Sequence, residues 1–253
     1  MNARADEDRW IRRFHPAPEA ATRLVCLPHA GGSASFYFPV SRALAPQVDV
    51  LAVQYPGRQD RLAEPCVESI ADLADAVTER LLPWADRPLA VFGHSMGATL
   101  AFEVALRLEQ RGITLQALFP SGRRAPSRHR EETTHLRDDA GLVQAVKELG
   151  GTESQMLDDE ELLRAVLPAI RSDYRAAETY RYRPGPPLSC PVYAMVGDSD
   201  PRASVDEVRS WGDHTEERFE LQTYPGGHFY LNAQAPRVVD AITRALTATS
   251  RTA

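Results

Sequence analysis

Ser95, Asp200 and His228 supply a hydroxyl, a carboxylate and an imidazole, and each stands just past the end of a β-rich run. A serine hydroxyl is a poor nucleophile near neutral pH, so it needs a base within hydrogen-bond reach and an acceptor to orient that base. His228 can take the proton through one ring nitrogen while a carboxylate holds the other N–H, which fixes the tautomer and stabilises the imidazolium that forms. The chemistry open to such a set is acyl transfer through a covalent acyl-serine. It requires elements that bring three distant side chains to one point.

Those elements are visible around each residue. Gly93-His94-Ser95-Met96-Gly97 directly follows the apolar run Leu89-Ala90-Val91-Phe92 and precedes a helical stretch, so it reads as a strand, a sharp turn and a helix that hold up one serine. The glycines suit a turn whose backbone segments lie too close for a Cβ. The pentapeptide alone arises by chance in about one chain in ten at ordinary Gly and Ser usage, so its surroundings must carry the argument. Val192–Val196 leads into Gly197-Asp198-Ser199-Asp200, and Phe219–Thr223 leads into Pro225-Gly226-Gly227-His228. The order nucleophile, acid, histidine is that of the α/β-hydrolases, and both loops fall where open α/β sheets gather catalytic groups.

Asp198 and Asp200 compete for the acid. Asp200 lies farther out of the strand and precedes Pro201, which favours an extended exit; either could instead cap a turn. His94 competes with His228, but as the neighbour of Ser95 on the elbow its side chain is expected to point elsewhere. An oxyanion needs N–H donors already in place. One is expected from Met96, after the nucleophile. The other is expected from Ala30 in Pro28-His29-Ala30-Gly31-Gly32, whose glycines would let the backbone approach a substrate.

The runs Leu24–Leu27, Val48–Val53, Leu89–Phe92, Leu115–Phe119, Val192–Val196 and Phe219–Thr223 alternate with helical spacing, as in Ile70, Leu73, Ala74, Val77, Leu81 and in Leu100, Val104, Leu108. This predicts an α/β fold, a mostly parallel sheet with helices on both faces. At 253 residues and 43% hydrophobic, the chain is read as one domain, 1–253. The interval from Ser121 to Pro191 is several times the roughly dozen residues that a crossover needs. It is read as a helical lid over approximately 127–185, with patterns at Leu142-Val143-Val146-Leu149 and Leu162-Leu163-Val166-Ile170, closed by Pro184-Gly185-Pro186-Pro187. Met156, Leu157, Leu162, Leu163 and Val166 are candidates to line an acyl channel, or simply to pack on the body. The small, polar tail Thr247 to Ala253 is expected to fray.

The net charge of -6 argues against bulk nucleic-acid binding. The charged N-terminus lacks a signal-peptide core, and no run reaches the 18 or so apolar residues of a membrane span, so a soluble, cytoplasmic protein is expected. Cys26, Cys66 and Cys190 lack metal or redox spacing and are read as free thiols, with Cys26 in a buried strand. No metal and no cofactor are expected. One local exception to the acidic balance is Arg123, Arg124, Arg128, His129 and Arg130, which could meet a phosphate or an acidic partner surface, or pair internally.

Taken together, Leu27-Pro28-His29-Ala30-Gly31-Gly32-Ser33-Ala34, Gln54-Tyr55-Pro56-Gly57-Arg58, Phe92-Gly93-His94-Ser95-Met96-Gly97-Ala98, Ser121-Gly122-Arg123-Arg124-Ala125-Pro126 and Gly226-Gly227-His228-Phe229 resemble the type II thioesterases that accompany polyketide synthases and nonribosomal peptide synthetases. The resemblance spans nearly the whole chain. It implies an α/β-hydrolase fold with a helical lid after the sixth strand, and hydrolysis of acyl groups from the phosphopantetheine arm of acyl or peptidyl carrier proteins, which clears aberrant units. By the same resemblance, Ser95 is the nucleophile, Asp200 the acid, His228 the base, and Ala30 and Met96 the amide donors. Phosphopantetheine would arrive on the substrate, and the enzyme is expected to be a monomer. The lid is the family's variable part, so acyl preference does not carry over. The rival readings are a carboxylesterase or lipase-like hydrolase of small esters, and a noncatalytic binding protein on the same fold.

Overall fold

The computed structural model of the chain describes residues 9–150 and 159–249. In chain order the elements are β1 (Ile11–Arg12), β2 (Thr22–Leu27), α1 (Phe38–Leu44), β3 (Val48–Val53), α2 (Ile70–Leu81), β4 (Leu89–His94), α3 (Met96–Glu109), β5 (Ala117–Ser121), α4 (Asp139–Leu149), α5 (Glu160–Thr179), β6 (Val192–Gly197), α6 (Val205–Arg209), β7 (Phe219–Tyr224), α7 (Tyr230–Ala233) and α8 (Ala235–Thr249). Together the strands form a seven-stranded sheet ordered β1-β3-β2-β4-β5-β6-β7. Only β1 is antiparallel to its neighbour; the other pairs are parallel.

The parallel strands β2 to β6 are buried along their whole length, which is why they read as continuous apolar runs rather than alternating ones. The alternation survives in which core each residue joins. Along β2, Val25 and Leu27 pack with Leu73 and Val77 of α2 and Leu100 and Val104 of α3. Leu24 and Cys26 face the other way, toward Leu44 of α1 and Val238, Ile242 and Leu246 of α8. Ser69 caps α2 by accepting the Asp72 N–H.

Several boundaries differ from expectation. β1 is too short to carry a period and was not anticipated. β4 extends through His94, which carries the ladder to the edge of the serine turn. β5 begins at Ala117, with Leu115 packed in the core ahead of the ladder. Instead of fraying from Thr247, α8 runs to Thr249, and the Thr247 hydroxyl donates to Thr243 O at 2.9 Å; residues 250–253 lie outside the described residues.

Among the described residues the long insertion follows the fifth of seven strands, where the resemblance implied the sixth. It holds a short turn at Thr134–Leu136, then α4 and α5. Leu142, Ile170 and Tyr174 form a small separate core that reaches the sheet body at Ala30, while Ala176 and Ala177, in the last turns of α5, join the main core. The Asp138 carboxylate caps α4 by accepting the Gly141 N–H, and Gly150 ends it in the left-handed conformation. Among the described residues, no helix is long and apolar enough to cross a membrane.

This division predicts two kinds of response to truncation. Leu100→Ala, at the contact of α3 with the sheet, is expected to cost about 2–5 kcal/mol of global stability. Leu142→Ala is expected to speed amide hydrogen exchange in α4 and α5 while leaving protection of the sheet unchanged, as hydrogen-exchange mass spectrometry would show.

Candidate active site

β4 passes into α3 through the single residue Ser95, whose φ of 55° and ψ of -117° lie outside the regions that side chains ordinarily adopt. That conformation persists because its surroundings over-determine it. The Ser95 N–H donates to Ser121 O of β5 at 2.8 Å. A Cβ on Gly97 would stand 2.1 Å from Leu27 O, and one on Gly93 would stand 2.0 Å from Gly97 O. Only glycine allows the helix to start this close to the end of β2, and that closeness lifts the Ser95 side chain clear of the sheet.

The acid and the histidine leave adjacent strands. β6 and β7 pair to their last residues, Gly197 opposite Tyr224, so their exit loops run side by side. Asp198 N–H donates to Tyr224 O at 2.8 Å, Ser199 N–H to Gly226 O at 3.1 Å, and Gly226 N–H to the Asp198 carboxylate at 3.0 Å. Exposed Asp198 is therefore the clamp between the loops. Asp200 is buried, and its oxygens lie 3.0 and 2.9 Å from His228 Nδ1; Oδ1 also accepts the Arg202 N–H at 2.8 Å. His228 Nε2 lies 2.9 Å from Ser95 Oγ. The structure thus brings Ser95, His228 and Asp200 into one series and leaves Asp198 out of it.

His94 is fully buried, and its Nδ1 lies 2.9 Å from the Ser121 hydroxyl, which in turn lies 2.7 Å from the Tyr230 hydroxyl. Burial, with His228 and His29 nearby, holds its pKa well below the usual imidazole range. A neutral ring therefore lies 5.0 Å from that of His228 and adds no competing charge beneath the base.

Ala30 and Met96 line the cleft that also holds Ser95 and His228. The loop bearing Ala30 is fixed by Tyr37 OH, which donates to Leu27 O at 2.8 Å, and by Tyr55 OH, which donates to Pro28 O at 3.1 Å. The Gly31 N–H is taken by Asp173 Oδ2 at 2.8 Å. A Cβ on Gly31 would meet Ile170 Cγ1 at 2.9 Å, and one on Gly32 would meet the His29 ring at 2.9 Å. These glycines make room for the chain's own side chains, and Gly31 also lines the apolar cavity beside the serine.

Sequence reasoning missed the buried pair Arg58 and Asp173. Arg58 donates through both terminal nitrogens to the two oxygens of Asp173, at 2.6 and 2.9 Å, and also to Gly32 O at 3.1 Å. The carboxylate holds the Arg58 pKa above its ordinary value despite burial. One signal was available: Asp173 follows Ile170 by three residues, on the buried stripe of α5, where a charge calls for a partner.

The serine cleft, about 30 Å³, lies between two larger cavities. An apolar chamber of about 620 Å³ shares Ala30, Leu149 and Tyr174 with it and is walled by Val146, Val166 and Ile170. A polar cavity of about 270 Å³ shares Arg123, Ala177 and Glu178 with it. Of the residues expected to line an acyl channel, Val166 does so. Leu162 is exposed, and Leu163 packs in the small core beside Val166 without lining the chamber; Met156 and Leu157 lie outside the described residues.

The arginine cluster is largely paired within the chain. Arg124 pairs with Glu132, and Arg130 with Glu207 at 2.7 and 2.5 Å. Arg123 donates to Thr99 Oγ1 at 3.2 Å, and burial pushes its pKa down to about 10. Arg128 donates to the Ser210 hydroxyl at 2.8 Å. Cys26 and Cys190 are buried free thiols, Cys190 with its pKa pushed up to about 12, and Cys66 is half-buried. Among the described residues, no group of three or more His, Cys, Asp or Glu could hold a metal ion.

A hydroxyl, an imidazole and a carboxylate in series, in a cleft lined by Ala30 and Met96, can carry out nucleophilic acyl transfer. Comparison with known proteins points the same way. Residues 22–246 match a family model described as Thioesterase domain. Thioesterase PikA5 of Streptomyces venezuelae is 55% identical over 231 residues, 90% of this chain and 82% of that protein. Thioesterase TesA of Mycobacterium marinum is 40% identical over 244 residues, 96% of each chain. Among solved structures, the type II thioesterase BorB from the borrelidin biosynthetic cluster superposes with a TM-score of 0.90 at 55% identity, covering 94% of this chain and 98% of its own. YbtT, a type II thioesterase from the yersiniabactin pathway, does so with a TM-score of 0.86 at 32% identity, covering 95% and 99%.

Two outcomes are expected from these contacts. Asp200→Asn should preserve the fold and lower turnover by about 10⁴-fold, as loss of the orienting carboxylate does in serine proteases, whereas Asp198→Asn should keep most of the activity in the same steady-state assay. The second concerns acid. Because folded His94 and His214 both have pKa values below the ordinary 6.5, the unfolded chain takes up protons as pH falls through that value and the folded chain does not. Stability is therefore lost on acidification, by up to about 1.4 kcal/mol per pH unit for each ring. Urea unfolding at about pH 7 and pH 5 should show the loss, and His94→Asn should flatten it.

Proposed function

The chain belongs to the thioesterase family, and on that premise we propose that it hydrolyses acyl groups from the phosphopantetheine arm of acyl or peptidyl carrier proteins, removing aberrant units during polyketide or nonribosomal peptide assembly. The observation that carries this reading is the series Ser95, His228, Asp200 at 2.9 to 3.0 Å, set between an apolar chamber and a polar cavity. The family's α/β-hydrolase fold accounts for the strand-end origin of all three residues.

In this reaction Ser95 Oγ attacks the thioester carbonyl as His228 Nε2 takes its proton, and Asp200 holds the imidazolium through Nδ1. The tetrahedral oxyanion is received by the amides of Met96 and Ala30, where one such donor is worth about 2.7–4 kcal/mol. A thiolate leaves readily, its conjugate acid having a pKa near 8.5 by analogy with cysteine, and His228 returns the proton to it. Water then attacks the acyl carbonyl as His228 takes its proton, the bond from the acyl carbon to Ser95 Oγ breaks, and His228 returns the proton to Oγ, freeing the acid. The acyl chain occupies the apolar chamber, with α4 and α5 acting as the lid over approximately 127–185. The pantetheine arm lies toward the polar cavity, where Arg128 and its neighbours face the carrier. The names of YbtT and BorB, tied to biosynthetic pathways, support a carrier protein as partner. The enzyme works as a cytoplasmic, single-domain monomer without metal or cofactor.

Hydrolysis of a panel of acylated carrier proteins and acyl-pantetheines, measured beside matched alkyl esters, tests the reading. Wild type is expected to prefer the thioesters, and Ser95→Ala to lose at least about 10³-fold in turnover. A preference for the alkyl esters would favour a carboxylesterase instead. Val166→Phe, which fills part of the chamber, should shift the preferred acyl length downward.

A further inference from the structure

We propose that Asp173 and Arg58 are positioning residues that set the oxyanion amide at Ala30 and tie it to α5, the helix that walls the acyl chamber. The inference rests on the hydrolase reading above and adds to it a pair that takes no part in proton transfer.

Among the described residues, the hydrogen bonds of the Asp173 carboxylate fall on two places. Oδ2 accepts the Gly31 N–H at 2.8 Å and Arg58 Nη1 at 2.6 Å, and Oδ1 accepts Arg58 Nη2 at 2.9 Å. The same Arg58 donates to Gly32 O at 3.1 Å and to Pro56 O at 3.3 Å. Gly32 N–H closes back on His29 O at 2.9 Å. Ala30 thus lies in a turn whose Gly31 N–H and Gly32 O are held by this ion pair, while His29 O, the carbonyl of the Ala30 amide's own peptide, is held by the Gly32 N–H and Pro28 O by Tyr55 at 3.1 Å. Rotation of the Ala30 amide away from the cleft would break at least one of these bonds.

Both residues are buried, Arg58 at 5% and Asp173 at 1% exposure. A buried ion pair is weak evidence for stability, since apolar residues of similar volume often serve as well. What apolar residues cannot do is accept a backbone N–H from a neighbouring loop. The bidentate geometry fixes the plane of the carboxylate and with it the direction of the Gly31 bond. Asp173 stands on α5, whose Val166, Ala169 and Ile170 line the chamber, and Ile170 fills the space in front of Gly31. Ala169 and Ile170 follow Pro168 on the same stretch of α5 as Asp173, so the helix carries both that part of the chamber wall and the anchor of the oxyanion loop, and an acyl group that displaces this part of the wall also displaces the donor.

The test separates stabilisation of the tetrahedral adduct from ground-state binding. An alkyl trifluoromethyl ketone, which forms an oxyanionic adduct with Ser95, is compared with a thioether of the same chain length that cannot react. Asp173→Ala is expected to lower kcat for a short acyl-pantetheine by about 10–100-fold and to weaken the ketone in proportion, with KM and thioether affinity within about threefold of wild type. Asp173→Asn keeps an oxygen for the Gly31 N–H and should recover most of that loss. Arg58→Met combined with Asp173→Ala should be no worse than Asp173→Ala alone, since the two act as a unit. Wild-type kcat and ketone affinity in Asp173→Ala, or equal weakening of ketone and thioether, would overturn the proposal. Should Asp173→Ala not fold, Arg58→Lys decides, because it keeps the charge but loses the two-pronged contact. A kcat loss of about 3–10-fold with unchanged thioether affinity then supports the proposal, and wild-type kcat refutes it. Ser95→Ala is assayed alongside: full activity there would defeat the hydrolase reading itself, whereas an inactive Ser95→Ala beside a fully active Asp173→Ala defeats only the positioning role.

Discussion

The first turn of α3 lies against the carbonyl oxygens of Leu27 and Pro28, a contact that a single methyl group on residue 97 would abolish. From this approach follow the backbone angles of Ser95, the bond from its amide to β5, and the direction in which its hydroxyl projects. It also brings the two amides expected to receive an oxyanion, at Met96 and Ala30, to one cleft, since one begins the helix and the other ends the loop from β2. The continuous apolar strands supply the rigidity that lets so tight a contact persist, for interiors packed at crystal-like density do not yield gradually.

Around this contact, charge is distributed by burial. Of two carboxylates in one loop, the exposed one ties loop to loop and the buried one orients the histidine. Of the two imidazoles beside Ser95, one is bonded to the serine and the other is kept neutral beneath it by desolvation and by its histidine neighbours. Residue types alone do not assign these roles; burial and the partner each side chain reaches do.

Much of this was legible beforehand. The parallel strands announce themselves as apolar runs, the helices by their spacing, and the serine turn by glycines that have no other reason to flank it. Asp200 could be favoured over Asp198 because it lies farther out of the strand and precedes Pro201, which favours an extended exit. Other features are only half signalled. Arg58 and Asp173 lie on different elements far apart in the chain, and a charge on the apolar stripe of α5 asks for a partner without saying which. The glycines at 31 and 32 were visible, but what they make room for was not, because Ile170 reaches Gly31 only in three dimensions. β1 contributes two residues, fewer than any pattern needs.

Gly31 and Ile170 illustrate how such a contact constrains descent. A β-carbon at one position and a γ-carbon at the other would occupy the same volume, so the two sites behave as one heritable character, and a larger residue at 31 demands a smaller one at 170. Lineages that diversify the chamber are then channelled toward Val146 and Val166, which line it and are not among the nearest neighbours of any described glycine. Variation in what the chamber accepts can accumulate there without disturbing the reacting groups.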